Sequence, residues 1–392
     1  MNKSLFTGRT VIELGHAVAG PFTASLLGDF GADVIKIEQP GKGDMWRQMG
    51  PSKDGYPLTW LVTARNKKSV TVDLASEKGQ ALVREMVKKS DVVVENFRPG
   101  LVEKWGLGWQ DLHAINPKLI MLMVSGYGQT GPLSRKPGFG VVGEAMSGAI
   151  FMTGFPDKPP TFPGFSLGDV TTGMMGAFVV SGALHRRATD GDDFKGECID
   201  LALYESLFRS IEWQIILHDQ VGLIPERKGN GRYPGGGPSI FQSGDGRWLV
   251  GESRKPTLIR FLGKAMGEKF SSDPLKEDES HLLKLTEDWM AQHTAQEIQA
   301  VCDKADVVAA LIMNPQDMMK NEQFKSRGSI ATVNHPVLGE IKMPGVMPLL
   351  TNYPGSIRHP GPTIGEYNEE VLKGWLGLSS LEYKTLKEEG VI

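Results

Sequence analysis

The sequence predicts an α/β fold with a doubly wound parallel sheet, and three observations lead to this prediction. Short apolar runs such as Val34–Glu38, Asp91–Glu95 and Leu119–Val124 are typical of parallel strands that helices cover on both faces. Helix-length segments alternate with strand-like runs along the first half of the chain, which favours a parallel sheet. The chain also contains 48 glycines in 392 residues, about 12% against an ordinary ~7%, and these supply the tight turns that the fold needs.

The opening segment predicts a strand, a turn and a helix in that order. The β-rich run Thr10–Leu14 predicts the strand, and the glycine turn Gly15–Gly20 follows it. Pro21 stands where a helix favours proline, so Phe22–Phe30 is predicted to be helical, and Gly31 ends that helix.

The alternation continues to about residue 220. Apolar residues on one face predict helix Glu77–Lys89, and a long apolar segment predicts helix Thr171–Arg187. The other predicted elements of this part are strands Val70–Leu74 and Glu197–Ala202 and helix Leu203–Asp219.

Near residue 222 the pattern changes. A connector rich in glycine and proline, 227–238, precedes a hairpin signal in which Ser239–Phe241 and Arg247–Gly251 flank a Gly-Asp-Gly turn. Helical patterns follow to about residue 324, and two short strands come after Gly328.

The C-terminal segment predicts two helices, Tyr367–Leu376 and Ser380–Glu389. The domain organisation follows from these patterns. The predicted parts are 1–222 as the first part of a Rossmann-like large domain, 223–327 as a smaller α+β domain with its linkers, and 328–392 as a C-terminal segment that returns to the large domain.

Composition and charge exclude several classes of function. Forty-three Lys and Arg against 46 Asp and Glu give a net charge of −3, so a strongly basic nucleic-acid binder is excluded. Two cysteines, Cys198 and Cys302, are too few for a disulfide framework, and the eight histidines lack metal-ligand spacing. The start has no signal-peptide core, and the apolar stretch Gly173–Leu184 is about half of the ~20 residues that span a bilayer. We therefore expect a cytoplasmic protein that binds neither nucleic acid nor membrane and holds no metal.

The first strand–turn–helix unit resembles a dinucleotide-binding layout, with Glu38 at the end of the second strand. Gly15 and Gly20 are separated by four residues, however, and no Gly-x-Gly tightens the turn. Bare backbone N–H groups near the helix start suit an anion. NAD, another nucleotide-like ligand and a plain structural turn all remain open on these residues alone.

Charged side chains follow the ends of predicted strands, where ligands of open α/β sheets bind. Lys67, Lys68, Arg98 and Lys104 could contact phosphates and Phe97 could pack on a base, or all could be solvated loop residues. Separately, Asp169 follows a glycine and precedes a long apolar helix. Taken alone, such an aspartate is expected to be an N-cap.

Together the motifs of the chain resemble the class III CoA-transferases, the formyl-CoA transferase or CaiB/BaiF family. The resemblance is dense from residue 8 to about 210, weak from 222 to 310, and returns near 314–328 and 362–372. The motifs that carry it are Val11–Pro21, Gly31–Glu38, Gly43-Asp44, Asn66–Ser69, Glu95–Gly100, Ser125–Pro132, Ala145–Gly148, Thr153-Gly154, Gly168-Asp169 and Pro362–Glu366.

The resemblance implies a Rossmann-like large domain, a small domain and two chains threaded through each other as an interlocked homodimer, with a heteromer as the other possibility. It identifies Asp169 as the catalytic carboxylate, which overturns the N-cap expectation. Acyl-CoA and a small carboxylic acid are the implied substrates, with no tightly bound cofactor. CoA moves between acids through an aspartyl anhydride and an aspartyl-CoA thioester.

Further site residues come from the same resemblance. Backbone N–H groups of the glycine turn could stabilise oxyanions, and Gly235–Gly237 resembles a glycine lid. The implied residues near the substrate are His16, Ala17, Glu144, Gly235, Gly236 and Gly237. The implied CoA-binding residues are Val72, Asp73, Leu74, Asn96, Phe97, Arg98 and Lys104.

Three alternatives are weighed against transfer. An α-methylacyl-CoA racemase would carry a histidine after Gly138, where this chain has Phe139 and then Gly140. A non-catalytic CoA-binding subunit of a heteromeric transferase would not need the Gly-Asp context of Asp169. A nicotinamide dehydrogenase would need the missing Gly-x-Gly. The sequence does not identify the donor and acceptor acids.

Overall fold

The structure is a computed structural model that describes residues 3–211, 213–231, 238–267 and 278–392. The chain forms two compact units. The first unit is Met1–Ala149, Pro163–Glu212 and Lys325–Ile392, and the second is Ile150–Phe162 and Trp213–Phe324. The predicted domain boundaries lay at 222 and 327, and the sequence did not predict that residues 150–162 join the second unit.

Secondary structure covers most of the described chain. The strands are β1 (Thr10–Glu13), β2 (Asp33–Glu38), β3 (Ser52–Lys53), β4 (Tyr56–Pro57), β5 (Lys67–Thr71), β6 (Val92–Glu95), β7 (Ile120–Ser125), β8 (Glu197–Ala202), β9 (Pro238–Gln242), β10 (Trp248–Glu252), β11 (Ala309–Leu311), β12 (Ile330–His335) and β13 (Gly339–Pro344).

The α-helices have the following bounds: α1 (Ala19–Asp29), α2 (Leu58–Thr63), α3 (Glu77–Lys88), α4 (Leu101–Lys104), α5 (Trp109–Ile115), α6 (Gly140–Met146), α7 (Leu167–Asp190), α8 (Leu203–Ser210), α9 (Gln214–Val221), α10 (Lys255–Met266), α11 (Glu279–Met290), α12 (Ala295–Ala305), α13 (Pro315–Lys320), α14 (Glu322–Ser326) and α15 (Ser380–Glu388). Short 3₁₀ turns span Met45–Gln48 and Gly191–Asp193, and a π-helical segment spans Glu369–Leu376.

A six-stranded sheet forms the centre of the first unit, in the order β5-β2-β1-β6-β7-β8. Every neighbouring pair is parallel, and Ile12 on β1 lies opposite both Ile35 on β2 and Val93 on β6. Among these six strands the order is 3-2-1-4-5-6, which is the Rossmann arrangement. The predicted doubly wound fold is therefore confirmed.

Successive residues of each central strand enter different cores, because strand side chains alternate between faces. Ile12, Val93 and Met121 join a core that includes helices α3 and α5, whereas Val11 and Val92 join a core with α1 and α7. Because helices cover both faces of the sheet, the sequences of its strands are continuous apolar runs.

Helix α7 packs closely on α1 at two glycines. A methyl group at Gly173 would lie 2.9 Å from the Phe22 ring, and one at Gly176 would lie 2.5 Å from Thr23 Oγ1. The span Leu167–Asp193 is the one described helix whose length and composition would allow it to cross a membrane. This helical span is longer than the apolar stretch that the sequence predicted.

Several predicted elements differ from the structure. Helix α1 begins at Ala19 instead of Phe22, and α7 begins at Leu167 instead of Thr171. Two further differences have a clear physical reason. The strand predicted at Val70–Leu74 is β5, which begins three residues earlier at Lys67, because that lysine is buried through ion pairing and hides the apolar signal. The helix predicted at Leu203–Asp219 is two helices. The first, α8, belongs to the first unit and the second, α9, to the second unit.

The second unit contains a three-stranded antiparallel sheet in the order β11-β10-β9. Helices α10, α11 and α12 contribute to one core, in which Leu249, Phe261, Leu282 and Ile298 are buried. This is the predicted α+β pattern, and the β9–β10 hairpin lies where the Gly-Asp-Gly turn indicated.

Candidate active site

A cavity of about 320 Å³ opens at the carboxyl ends of β1 and β6. These strands are neighbours at the point where the strand order reverses, which is where open α/β sheets bind ligands. The segments of the first unit that meet there include the β1–α1 turn (residues 14–18), the loop after β6, the end of β7 and the start of α7. The topology therefore brings part of the predicted site together.

The loop after β6 holds the β1–α1 turn through one side chain. Asn96 Oδ1 accepts a hydrogen bond from the His16 N–H at 2.7 Å, and Asn96 Nδ2 donates to the His16 carbonyl at 2.9 Å. Gly15 is required beside this contact, since a Cβ there would lie 2.3 Å from Asn96 Oδ1. The side-chain amide of Asn96 therefore orders the turn.

The turn N–H groups that the sequence put forward as oxyanion donors are already used. The His16 N–H donates to Asn96, and the Ala17 N–H donates to Asp44 Oδ1 at 3.1 Å. Within the described part of the chain, the next two N–H groups, of Val18 and Ala19, have no acceptor. They belong to the start of α1, where helix N–H groups lack intrahelical partners. The structure thus moves the candidate donors two residues along the chain.

Asp169 lies in the first turn of α7 and lines the cavity. The N-cap is Ser166, so the structural interpretation of Asp169 as a cap is wrong. Gly140 stands directly against the carboxylate, and a Cβ at that position would lie 2.2 Å from Asp169 Oδ2. The missing side chain leaves room for the carboxylate.

The environment of Asp169 raises the pKa of its carboxyl to about 6. Burial is the larger cause, and the negative charge of Glu144 adds to it. Glu144 is 2% exposed, and its Oε1 accepts a hydrogen bond from the Gly168 N–H at 2.9 Å. Asp169 is therefore ionised at neutral pH, yet it is a more basic carboxylate than an exposed aspartate.

His16 and Phe97 form an aromatic contact beside the cavity. Their rings meet edge to face, with centroids 4.8 Å apart. Although His16 is exposed as a residue, desolvation by its neighbours lowers the pKa of the ring, and the charge of Lys36 lowers it further. The imidazole is therefore neutral at neutral pH.

Two basic side chains cross between loops at the rim of the site. The Arg98 guanidinium donates to the Arg135 carbonyl through Nε at 2.8 Å, and Arg135 Nη1 donates to the Pro99 carbonyl at 2.6 Å. Lys136, the next residue, lines the cavity. Arg98 and Lys136 therefore contribute two cationic residues to the lining of the cavity.

The structure brings together only part of the predicted site. The predicted residues that line the cavity are His16, Ala17, Asn96, Phe97, Arg98 and Asp169. Glu144 lies behind them, bonded to the neighbour of Asp169. Gly235, Gly236 and Gly237 lie outside the described residues.

Four predicted CoA-binding residues do not line this cavity. Val72 is buried in the core, and Asp73 and Leu74 follow β5 at the edge of the sheet. Lys104 is exposed at the end of α4. Their role in CoA binding stays a prediction.

Several lining residues were not predicted from the sequence as site residues. They are Val18, Ala19, Ser125, Gly126, Lys136 and Leu203, together with Gly138 and Phe139, which entered only in the comparison with racemases. The motif Ser125–Pro132 supports the family resemblance, but no site role was predicted for its residues. It begins at the carboxyl end of β7, and this position is the signal that predicts Ser125 and Gly126 near the site. Among the described residues no cluster of His, Cys, Asp or Glu could hold a metal ion.

Comparison with known proteins identifies relatives along the whole chain. The model of CoA-transferase family III matches residues 6–368. Succinyl-CoA–D-citramalate CoA-transferase of Chloroflexus aurantiacus is 43% identical over 392 residues, covering 97% of this chain and 96% of the relative. The alpha subunit of succinyl-CoA–L-malate CoA-transferase from Chloroflexus aurantiacus is 37% identical over 397 residues, covering 98% and 92%.

A solved structure supports the same relationship. The crystal structure of a CaiB/BaiF family protein from Brucella suis has a TM-score of 0.83 and 28% identity, covering 96% of this chain and 100% of that chain. The resemblance drawn from the motifs is thereby confirmed. The chain belongs to CoA-transferase family III and transfers CoA between an acyl-CoA and a carboxylic acid.

Proposed function

We propose that this CoA-transferase takes CoA from succinyl-CoA and passes it to a short hydroxydicarboxylic acid, with Asp169 as the nucleophile. The names of two relatives, which transfer CoA from succinyl-CoA to D-citramalate and L-malate, support this choice of acids. The cations of Arg98 and Lys136 at the cavity suit the phosphates of CoA and a substrate carboxylate.

The first half-reaction removes the acyl group from CoA. A carboxylate oxygen of Asp169 attacks the thioester carbonyl carbon and the C–S bond breaks. CoA thiolate is released, and Asp169 and the succinyl group form a mixed anhydride. The thiolate then attacks the Asp169 carbonyl carbon of the anhydride. The C–O bond breaks, succinate departs, and an aspartyl-CoA thioester remains.

The second half-reaction reverses these bonds with a new acid. The acceptor carboxylate attacks the aspartyl thioester, forms a second anhydride and releases CoA thiolate. The thiolate attacks the acceptor carbonyl carbon, which gives the new acyl-CoA and frees Asp169. No proton or electron is gained or lost, so the reaction needs no cofactor.

The observation that carries this proposal is the position of Asp169. Asp169 lines the same cavity as Val18 and Ala19, whose N–H groups have no acceptor among the described residues. Each addition step places negative charge on a carbonyl oxygen, and N–H groups of this kind stabilise it. Gly140 packs directly against the carboxylate, and its lack of a side chain makes room for Asp169 in this position.

We further propose a cytoplasmic dimer of two copies of this chain. The first unit exposes large apolar side chains that a second chain would cover: Phe139 at 66%, Phe165 at 62%, Met174 at 55% and Phe178 at 73%. A relative is named as the alpha subunit of a transferase, so an assembly with a different chain is the competing arrangement. Light scattering of the purified chain, alone and at increasing concentration, tests the homodimer.

The test of the nucleophile is a trapping experiment. The chain is incubated with succinyl-CoA, treated with borohydride or hydroxylamine, and analysed by intact mass and peptide mapping. A modification confined to Asp169, absent in Asp169→Asn, supports the proposal. Transfer from succinyl-CoA is then measured with D-citramalate, L-malate and isotope-labelled succinate as acceptors, the last because exchange with unlabelled succinate regenerates the same compounds.

Two other outcomes contradict the proposal. CoA transfer that continues in Asp169→Asn removes the nucleophile from the mechanism. Exchange of the α-proton of a 2-methylacyl-CoA in deuterated water, with no adduct, indicates racemase chemistry instead.

A further inference from the structure

Four charged side chains form a buried cluster beneath the β1–α1 turn. Glu13 Oε1 lies 2.8 Å from Lys36 Nζ, and Glu13 Oε2 lies 2.8 Å from Lys67 Nζ. Lys36 Nζ also lies 2.8 Å from Asp44 Oδ2. None of the four side chains is more than 1% exposed. Burial of a charge is unfavourable unless the charge is paired and hydrogen-bonded, and each of these four groups has an ion-pair partner within the cluster.

The cluster forms hydrogen bonds with the backbone of the β1–α1 turn. Lys36 Nζ donates a hydrogen bond to the Gly15 carbonyl at 2.6 Å, and Asp44 Oδ1 accepts one from the Ala17 N–H at 3.1 Å. Lys36 and Asp44 form an ion pair with each other, and their two contacts lie on either side of His16. The Lys36–Asp44 pair therefore fixes the distance between the Gly15 carbonyl and the Ala17 N–H.

The cluster also reaches the first turn of α1. Lys67 Nζ donates to the Pro21 carbonyl at 2.7 Å, on the far side of the Val18 and Ala19 N–H groups. The cluster thus contacts the backbone before and after the candidate oxyanion donors. Because its members pair with one another in a site without water contact, their electrostatic interactions are stronger than at a surface.

The conformation of Ala17 shows why the turn needs such support. Its φ is +58°, in the left-handed region that is unfavourable for residues other than glycine. Backbone of this kind persists only where the surroundings determine it. The hydrogen bond from the Ala17 N–H to Asp44 Oδ1 is the contact that this residue's own backbone N–H makes with the surrounding structure.

We propose that Lys36 and Asp44 are positioning residues for CoA transfer, which hold the β1–α1 turn so that the Val18 and Ala19 N–H groups line the cavity beside Asp169. This inference rests on the proposed function of Asp169. Hydrogen-bond donors that stabilise an oxyanion must be held within about 0.5 Å of the productive geometry. An ion pair anchored beneath the turn meets that requirement.

The charges of the pair persist through the range in which enzymes are assayed. Burial alone would raise the pKa of Asp44, but the charge of Lys36 and the hydrogen bonds to the carboxylate lower it to about 2. Burial would likewise lower the pKa of Lys36, and the charges of Glu13, Asp44 and Glu38 raise it above its ordinary value. The positioning contacts are therefore constant with pH, whereas Asp169 titrates.

The test compares Asp44 with a buried ion pair that lies away from the cavity. Asp29 is 3% exposed and binds the Arg65 guanidinium through two contacts of 2.5 and 2.9 Å. Variants Asp44→Ala, Asp44→Asn, Asp29→Ala and Asp29→Asn are assayed for kcat and for KM with succinyl-CoA. Melting temperature is recorded for each.

We expect Asp44→Ala to lower kcat by roughly a hundredfold while KM for succinyl-CoA changes by less than about threefold, since misplaced groups lose rate rather than affinity. Asp44→Asn keeps a carbonyl oxygen for the Ala17 N–H and should recover about tenfold of that loss. Both Asp29 variants should lower the melting temperature and keep kcat within about twofold. If Asp44→Ala does not fold, Asp44→Asn carries the comparison.

Hydrogen exchange of the peptide that contains the turn provides a readout that does not depend on activity. Faster exchange in Asp44→Asn than in Asp29→Asn supports the inference. Unchanged kcat in the Asp44 variants, or an equal loss of kcat in the Asp29 variants, overturns it. A wild-type chain that transfers no CoA refutes the proposed function instead, and in that case the exchange comparison decides whether the cluster holds the turn.

Discussion

The side-chain amide of Asn96 forms two hydrogen bonds with the backbone of His16, one to its N–H at 2.7 Å and one to its carbonyl at 2.9 Å. This pair joins the loops that follow β1 and β6. These strands are adjacent at the switch point of the sheet, although about 80 residues separate them in sequence. Asn96 therefore holds the β1–α1 turn at His16, whereas Lys36 and Asp44 hold the same turn at Gly15 and Ala17.

The first prediction concerns this amide. Asn96→Asp replaces the donor to the His16 carbonyl by a carboxylate oxygen, which repels that carbonyl. We expect kcat to fall by roughly tenfold to a hundredfold, because the turn shifts relative to Asp169. Steady-state kinetics with succinyl-CoA measure the effect.

Asn116 provides the matched control for Asn96. Its Nδ2 donates to the Val87 and Ser90 carbonyls, both at 2.9 Å, away from the cavity. Asn116→Asp removes the same kind of contact and should destabilise the chain while preserving kcat. A similar loss of kcat in both variants would show that Asn96 acts only through overall stability.

The second prediction follows from the raised pKa of Asp169. Because the folded state raises this pKa from 3.8 to about 6, folding favours the protonated form, and the ionised form reduces stability above about pH 6. Asp169→Asn removes that charge. The variant should therefore be more stable than wild type near pH 8, by about 1–3 kcal/mol. The gain should shrink as pH falls from about 6 to about 4.

Asp111 is the control for this stability effect. It occupies the same position in the first turn of α5 as Asp169 does in α7, but it is exposed. Chemical unfolding measures the stability of wild type and both variants near pH 8 and near pH 4, and Asp111→Asn should show no comparable gain at pH 8. A pH-independent change in Asp169→Asn would contradict the electrostatic explanation.

The sequence predicted the sheet well because its strands are buried on both faces and their apolar runs are continuous. It misplaced the start of β5, since Lys67 is a charged residue that only the three-dimensional pairing with Glu13 allows inside. No local pattern predicts such a pair, because its members lie more than fifty residues apart.

The candidate site shows the same division. The resemblance identified Asp169, and local chemistry alone favoured an N-cap, because an aspartate before an apolar helix fits both roles. Asp44 belongs to one of the family motifs, but the sequence does not predict its role. Its contact with the Ala17 N–H depends on how the turn folds over β2. Contacts to backbone atoms of a distant loop leave no signature in one sequence.

The third prediction separates charge from hydrogen bonding at Glu144. Glu144→Gln keeps an oxygen for the Gly168 N–H but removes a negative charge that raises the pKa of Asp169. The pKa of Asp169 should fall, so the acid limb of the rate profile should move to lower pH. Rates measured between about pH 4.5 and pH 8 show the shift.

Glu205→Gln is the control for this charge effect. Glu205 also accepts a backbone N–H at the start of a helix, from Ala202 at 3.2 Å. Its substitution should leave the acid limb in place. If Glu144→Gln changes neither the limb, the rate nor the preference among acceptors, Glu144 has no role in the reaction.

The last prediction concerns the space beside the nucleophile. A methyl group at Gly140 would lie 2.2 Å from Asp169 Oδ2 and 2.9 Å from Cγ, so Gly140→Ala must turn the carboxylate out of its position. We expect activity to fall by about a hundredfold or more, and the Asp169 adduct with succinyl-CoA to be lost. Gly182→Ala, on the same helix as Asp169 but with open space at its Cβ, should retain activity and gain roughly 0.5–1 kcal/mol in stability. Full activity in a folded Gly140→Ala would mean that the reacting carboxylate adopts another orientation, and the geometry proposed for the first addition step would then be wrong.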